Sequence, residues 1–262
     1  MTDAYLTALG GDRYLPSEHA GGAWQPGELH FAPLGGLLTH AIESHRAAAG
    51  GAPLLLSRIA FDILGFLALD EIAVRVATRR PGRTIELTEA TASIAGRDVA
   101  VARAWHSVAG DTAAVAGGAA DPLPSPSTAR PAAFDPAWGG GFVRSLELRQ
   151  SGEAAPGRST SWISSRHPLV EGEAVSPLAR WLGLVDVVNG VAVRATPDAW
   201  MFPNLDLTVH LLRQPEGDWV GMDTTVAFGP TGQGITGAAL HDERGHVGHA
   251  MQTLTVRPTA RS

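Results

Sequence analysis

The chain has 262 residues, no cysteine and a formal net charge of −6 at pH 7. This length fits one large domain or two of about 130 residues, and the 44% hydrophobic content is ordinary for a globular protein. The missing cysteines exclude a disulfide framework, a thiolate nucleophile and a thiolate metal site. The negative charge argues against a nucleic-acid partner.

The amino terminus has neither a basic start nor a long apolar core, so the sequence predicts no signal peptide. No apolar run approaches the ~18 residues that a membrane-spanning helix needs. We therefore expect a cytoplasmic protein without a membrane span.

In the first half, a helix is predicted from Pro33 to Ala49, with its leucines on one side. Gly35 and Gly36 in its first turn favour either a ligand at the helix N-terminus or close packing against a sheet, and we favour packing. Four alternating runs follow and predict an antiparallel meander: residues 54–66, 71–78, 84–94 and 99–108.

Residues 109–140 are rich in Ala, Gly, Pro and Ser and are predicted to be a linker. The second half repeats the plan of the first, with strands predicted at 142–148 and 159–164 and a helix at 176–190. Four further runs follow, at 204–212, 219–228, 234–241 and 247–256. We therefore predict two repeats, 1–108 and 141–262, each with a helix wrapped by an antiparallel sheet. This α+β architecture is a double hotdog, with the two sheets joined edge to edge.

The second helix is predicted from its caps, Ser176 with Pro177 at its start and Asn189-Gly190 at its end. Asp186 follows Leu182 by four residues and therefore points from the apolar side. A carboxylate there is poorly solvated and needs partners, or its pKa rises. An Asp at the edge of the stripe, or one paired with an Arg, is the structural alternative.

Further polar residues lie on two strands of the second repeat. Alternation predicts Asn204, Asp206 and Thr208 on one face, and Gln252 lies in the last strand. Asp, Asn and Gln together can hold a water molecule, with the carboxylate accepting its proton.

An alignment of the two repeats places apolar residues at these positions in the first one. Matching the helices from their prolines sets Asp186 against Ile42, and matching the last strands sets Gln252 against Ala104. We therefore expect one polar site per chain, in the second repeat.

Other patterns in the sequence favour structural interpretations. The GxGxxG match at 232–237 is followed by a predicted hairpin, which favours a turn over a dinucleotide site. No GxSxG is present, and Ser164, Ser165 and His167 are predicted to lie in a loop. His241, His246 and His249 flank a predicted turn and are poor candidates for metal ligands, so we expect no metal there.

The sequence resembles the acyl-CoA thioesterase II-like (TesB-like) double-hotdog family over nearly its whole length apart from the linker. In the first repeat the resemblance rests on APLGGLLTHAIESH and the strands around RRPGR, and in the second on LGLVDVVNG, on the run that begins FPNLDLTV, and on the last strand. It implies hydrolysis of an acyl-CoA thioester to a free acid and CoA, without a cofactor. It also implies that Asp186 and Gln252 hold the attacking water. The family's Thr or Ser position falls on Asn204, which is a departure.

Two other functions stay open. One is a hotdog protein that binds acyl groups or acyl-CoA without turnover. The other is a hydratase or dehydratase, which would need an Asp/His pair that we do not find on the second helix or its approach. Hotdog relatives and edge strands also predict a homodimer of double hotdogs.

Overall fold

The computed structural model describes residues 2–50 and 53–259, so residues 1, 51, 52 and 260–262 of the predicted repeats lie outside it. Its α-helices are Phe31–Ala48 (α1), Gly141–Arg144 (α2), Pro177–Leu182 (α3) and Val188–Val191 (α4). Its first eight strands are Leu6–Gly10 (β1), Arg13–Pro16 (β2), Leu54–Ile63 (β3), Ile72–Arg80 (β4), Ile85–Ile94 (β5), Arg97–Val108 (β6), Arg130–Ala132 (β7) and Leu146–Ala155 (β8). The others are Arg158–Ser165 (β9), Trp200–Met201 (β10), Asp206–Leu211 (β11), Val220–Phe228 (β12), Gln233–Asp242 (β13), Gly245–Thr255 (β14) and Arg257–Pro258 (β15). No described helix has the length and apolar character to cross a bilayer.

Thirteen of these strands form one sheet, in the order β1-β2-β4-β5-β6-β3-β11-β14-β13-β12-β9-β8-β7. The first six belong to the first repeat and the last seven follow it in sequence. The two blocks meet where β3 pairs antiparallel with β11, with Leu207 opposite Phe61 and His210 opposite Arg58. The predicted double hotdog, joined edge to edge, is therefore confirmed. The joint also pairs two strand edges that would otherwise be exposed.

The helices α1 and α3 touch through two glycines. A Cβ on Gly36 would lie 3.0 Å from Cα of Gly183 and 3.1 Å from the carbonyl oxygen of Ala179. A Cβ on Gly35 would lie 3.2 Å from the ring of Phe31. Gly35 and Gly36 therefore allow close packing. Gly36 packs against the end of α3 and the side chain of Leu169.

The predicted helix at 176–190 is interrupted. Ser176 caps it as expected, since its Oγ accepts from the N–H of Ala179 at 3.0 Å. However, α3 ends at Leu182, a 3-10 turn covers Val185–Val187, and α4 follows. Gly190 lies inside α4 and does not adopt the expected left-handed conformation. The tight 3-10 turn contains Asp186, and such turns often mark a functional position.

Two other predictions differ from the structure. The predicted strand at 142–148 is α2 followed by the start of β8. The predicted linker contains β7, which pairs with β8, and the buried Trp138. The second half of this segment therefore belongs to the sheet and core of the second repeat, and the division at 108 and 140 stays a prediction. The glycine motif at 232–237 lies largely in β13, and the strand that follows it excludes a dinucleotide fold, as expected.

Candidate active site

The structure brings the three predicted site residues together around one carboxylate oxygen. Asp186 is 5% exposed, and its Oδ1 accepts hydrogen bonds from Nδ2 of Asn204 and from Nε2 of Gln252, each at 2.8 Å. Nε2 of Gln252 also donates to the main-chain carbonyl of Asp186 at 3.2 Å. A 3-10 turn therefore supplies the acid, and it is held by one amide from β14 and one from the segment just before β11.

A β-bulge turns Asn204 toward this group. Thr208 lies opposite Met251 and Asn204 opposite Leu254, so four steps along one strand match three steps along its neighbour. Such a shift moves a side chain to the other face of the sheet. The carboxylate of Asp206 instead accepts from the N–H of Thr253 at 2.6 Å. The predicted common face for Asn204 and Asp206 is therefore wrong, because alternation is interrupted between them.

Gln252 reaches the site from the interior of β14. It is 2% exposed, while Met251 beside it is 48% exposed, which is the alternation expected of a half-buried strand. Its Oε1 is buried and has no hydrogen-bond partner among the described residues. A buried acceptor without a protein partner is ordinarily satisfied by an ordered water molecule.

Burial raises the pKa of Asp186 to about 7, although the hydrogen bonds from Asn204 and Gln252 act to lower it. Desolvation penalises the charged form, and the two amide donors stabilise it. The second oxygen, Oδ2, accepts no hydrogen bond from the described residues and lies 3.9 Å from Nδ1 of His30. A carboxylate with such a pKa and a free oxygen suits general-base catalysis near neutral pH.

His30 is a site residue that the sequence did not reveal. It caps α1, because its Nδ1 accepts from the N–H of Ala32 at 3.1 Å, and its ring packs against Phe142 with the centroids 4.5 Å apart. Burial lowers the pKa of His30 to about 3, so the imidazole is neutral at pH 7. With Nδ1 accepting, the proton of the neutral ring is on Nε2. The position of His30 directly before a helix that starts Phe-Ala-Pro could have indicated from the sequence that it caps this helix.

The structure pairs Asp186 with a histidine from elsewhere in the chain, His30 of the first repeat, so the lack of an Asp/His pair on the second helix and its approach does not by itself exclude a hydratase. The pair still differs from an acid–base pair. The one lone pair of the neutral ring, on Nδ1, is already used in the helix cap. His30 therefore has no free lone pair with which to remove a proton.

Two small cavities open at the site. We call them the Trp138 cavity, of about 40 Å³, and the Phe31 cavity, of about 110 Å³, after a residue that lines each. Both are lined by Ala23, Trp24, His30, Asp186 and Asn204. The Trp138 cavity therefore combines polar groups with an aromatic wall.

The aromatic wall is built from rings in edge-to-face contact. The ring centroids of Trp24 and Trp138 lie 4.7 Å apart, and those of Trp138 and Phe202 lie 5.6 Å apart. These edge-to-face contacts hold the rings in fixed positions and limit solvent around Asp186.

A wider groove lies elsewhere on the second repeat. This Arg149 groove has a volume of about 620 Å³ and is lined by three arginines and three acidic residues, with Arg149 stacked 4.7 Å over Trp219. Near it, Asp3, His19 and His167 each offer one ligand atom within 4.8 Å of the others, a set that could hold a metal ion. Neither feature includes Asp186, so we place the candidate active site at the buried carboxylate despite the groove's greater size.

Fold and site together define a double hotdog with a buried carboxylate, Asp186, at its candidate active site. Family models match both halves of the chain: an acyl-CoA thioesterase N-terminal domain at residues 21–107 and an acyl-CoA thioesterase C-terminal domain at residues 126–256. The chain belongs to this acyl-CoA thioesterase family.

Solved structures share the fold at low sequence identity. A protein with a hot dog fold from Alicyclobacillus acidocaldarius is 14% identical, with a TM-score of 0.73 over 99% of this chain and 98% of that one. The acyl-CoA thioesterase II TesB2 from Mycobacterium marinum is 16% identical, with a TM-score of 0.66 over 97% and 96%. The tesB protein of Mycobacterium avium subsp. paratuberculosis is 17% identical, with a TM-score of 0.67 over 97% and 96%. No curated protein matches the sequence.

Proposed function

We propose that this protein hydrolyses acyl-CoA thioesters, with Asp186 as the general base. The observation that carries the proposal is the buried carboxylate, held through Oδ1 by two amides while Oδ2 is free. The family membership supports the reaction class. The nearly neutral pKa of Asp186 supports its role as a base.

The proposed reaction needs no covalent enzyme intermediate. A water molecule gives a proton to Oδ2 of Asp186 while its oxygen bonds to the thioester carbonyl carbon, and the electron pair of the C=O bond moves to oxygen. Collapse of this intermediate restores the C=O bond and breaks the C–S bond. The sulfur leaves with the bonding pair and takes the proton that Asp186 received, which gives the free acid and CoA.

A water molecule donates two hydrogen bonds, so it can be held by Oδ2 of Asp186 and by one of the two amide oxygens of the site. Oδ2 of Asp186 accepts its reacting proton, and the amide oxygens of Asn204 and Gln252 have no hydrogen-bond partner in the described chain. Their NH₂ groups already donate to Oδ1 of Asp186, which fixes the orientation of both amides. We therefore propose that Asn204 and Gln252 orient the base and the water together.

The test is Asp186→Asn, assayed with acyl-CoAs from acetyl to palmitoyl by trapping the released thiol. We expect the substitution to lower kcat by about 10³-fold, because removal of a general base costs roughly 10²–10⁴. Asp223→Asn is the matched control, since Asp223 is exposed on β12 and should leave the rate unchanged. Near-normal turnover by Asp186→Asn would overturn the proposed mechanism.

The alternatives give different results in the same set of assays. A binding protein would bind a non-hydrolysable acyl-CoA analogue but release no thiol from any substrate. A hydratase would change the ultraviolet absorbance of a 2-enoyl-CoA, and the occupied lone pair of His30 argues against this activity.

The expected cytoplasmic location and the homodimer of double hotdogs stay predictions. Strands β1 and β7 form the two ends of the sheet and are the edges at which copies could pair. Light scattering during gel filtration measures the mass in solution, and twice the chain mass of 27.3 kDa is the expected result.

A further inference from the structure

Trp138 is a buried donor without an acceptor. Its side chain is 8% exposed, and its Nε1–H has no hydrogen-bond partner in the part of the chain that the structure describes. The indole lines the Trp138 cavity together with Asp186 and Asn204. Buried donors are nearly always paired, so this N–H needs an acceptor from outside the described chain, which the oxygen of a ligand can supply when it displaces water.

A second donor belongs to His30, which lines the same cavity. The neutral ring of His30 has its proton on Nε2, because Nδ1 accepts from the N–H of Ala32. Nε2 makes no hydrogen bond with any described residue. The cap and the contact with Phe142 hold the ring in place, so this donor is fixed before a ligand binds.

The start of α1, in contrast, has few free main-chain donors. The first four N–H groups of a helix normally lack partners. Here the N–H of His30 donates to the carbonyl oxygen of Ala20, the N–H of Ala32 is capped, and Pro33 has none. Of these four positions, Phe31 alone retains an N–H without an assigned acceptor.

We propose that Nε1–H of Trp138 and Nε2–H of His30 bind the carbonyl oxygen of the thioester and stabilise the oxyanion formed when water attacks. This inference rests on the proposed function and adds two catalytic residues to it. A cavity of about 40 Å³ has room for a carbonyl group beside the base. The electron pair that leaves the C=O bond then resides on an oxygen that faces two fixed donors.

The first test is Trp138→Phe, which removes the N–H and keeps an aromatic ring. We expect kcat to fall about 100-fold with KM within threefold, since loss of one oxyanion donor costs roughly 10²–10³ in kcat. The apparent pKa of the rate should not change, because the base is intact. The melting temperature should fall no further than that of the Trp162→Phe control described below. Trp138→Phe removes a donor that makes no hydrogen bond within the described chain.

Trp162→Phe is the matched control, because Trp162 is 1% exposed and its Nε1 donates to the carbonyl oxygen of Pro124 at 2.9 Å. This variant loses a hydrogen bond and should lose thermal stability while kcat stays within threefold. A Trp138→Phe variant with kcat within threefold of wild type would overturn the assignment of Trp138. If it does not fold, benzothienylalanine at position 138 replaces the N–H by sulfur at nearly the same size.

The second test is His30→Asn, because Asn is also a good N-cap and keeps an acceptor for the N–H of Ala32. We expect kcat to fall about 100-fold, and a thermal stability near that of wild type shows that the cap is retained. In the double variant, kcat should fall by less than the product of the two single effects, since both donors act on one oxygen.

If Asp186→Asn is inactive while both donor variants keep kcat, the oxyanion site is wrong and the proposed function stands. If the wild-type protein hydrolyses no thioester, the proposed function itself fails.

Discussion

The two repeats share a sheet register but differ at the site. In the first repeat, Leu56 lies opposite His106 and a register shift follows it, just as Asn204 lies opposite Leu254 before the shift in the second. The bulge is therefore present in both copies. Only the second copy places an amide on it.

The same comparison holds for the other two site positions. Ala104 lies opposite Thr88, and Gln252 lies opposite Thr236, so the register agrees with the alignment of Gln252 and Ala104 made from the sequence. At the helix crossing Gly36 faces Gly183, and three residues further on lie Thr39 and Asp186. Asp186 therefore corresponds to Thr39, and the alignment with Ile42 was wrong because the prolines are not equivalent positions.

The first repeat thus has Thr39, Leu56 and Ala104 where the second has Asp186, Asn204 and Gln252. Thr39 is 2% exposed and donates to the carbonyl oxygen of Gly35, so it is satisfied within its own helix. Two amide donors hold the carboxylate of Asp186, and the first repeat has no amide at either matching position. The β-bulge and the helix crossing are therefore common to both repeats. The second repeat differs in Asp186, Asn204 and Gln252, the three side chains proposed to carry out the reaction.

Among the substitutions that follow from this comparison, the largest effect is expected when Gln252 is replaced by the alanine of the first repeat. Gln252→Ala removes a donor to Asp186, so the pKa of Asp186 should rise above about 7. We expect kcat/KM at pH 7 to fall about 100-fold and its apparent pKa to increase. The pH dependence of thioester hydrolysis measures both, and Gln233→Ala on the exposed part of β13 is the control. An unchanged profile would show that Gln252 does not act on the base.

A converse change places an acid in the first repeat. Thr39→Asp should destabilise the fold by about 3 kcal/mol at pH 8, because Leu56 and Ala104, at the positions that match Asn204 and Gln252, offer no side-chain donor. Stability should recover as the pH falls and the new carboxyl becomes neutral. Urea unfolding at pH 8 and pH 5 tests this, with Thr39→Val as the control. No loss of stability at pH 8 would mean that the first repeat can also hold a carboxylate.

The smallest effect is expected from Asn204→Thr, which restores the residue type of the resembling family. A threonine hydroxyl can still donate to Oδ1 of Asp186, so kcat should stay within about tenfold of wild type. A matched Asn204→Leu variant, with the residue that the first repeat has, should lose far more activity. Equal rates for the two variants would contradict a polar role for this position.

Much of the fold was predictable because it depends on local patterns. The cap at Ser176, the alternation in the long strands and the repeated helix–strand order all describe short stretches of chain. Asp186, Gln252 and Asn204 also stood out, the first two as polar residues among apolar ones.

The details that failed depend on contacts between distant segments. The bulge at Asn204 is a property of two paired strands, and the break after α3 lies where that helix meets Gly36 of α1. His30 and Trp138 come from the first repeat and from the predicted linker, so no spacing in the sequence connects them with Asp186. The contacts among Trp24, Trp138 and Phe202 could not be predicted for the same reason.

The most direct test of one buried base per chain is the pH dependence of kcat/KM for the wild-type protein. Asp186 acts when it is deprotonated, so the rate should be constant above pH 8, half-maximal near pH 7 and fall about tenfold for each pH unit below 6. A rate that does not vary between pH 5 and pH 9, with chemistry as the slow step, would contradict the assignment of Asp186 as the base.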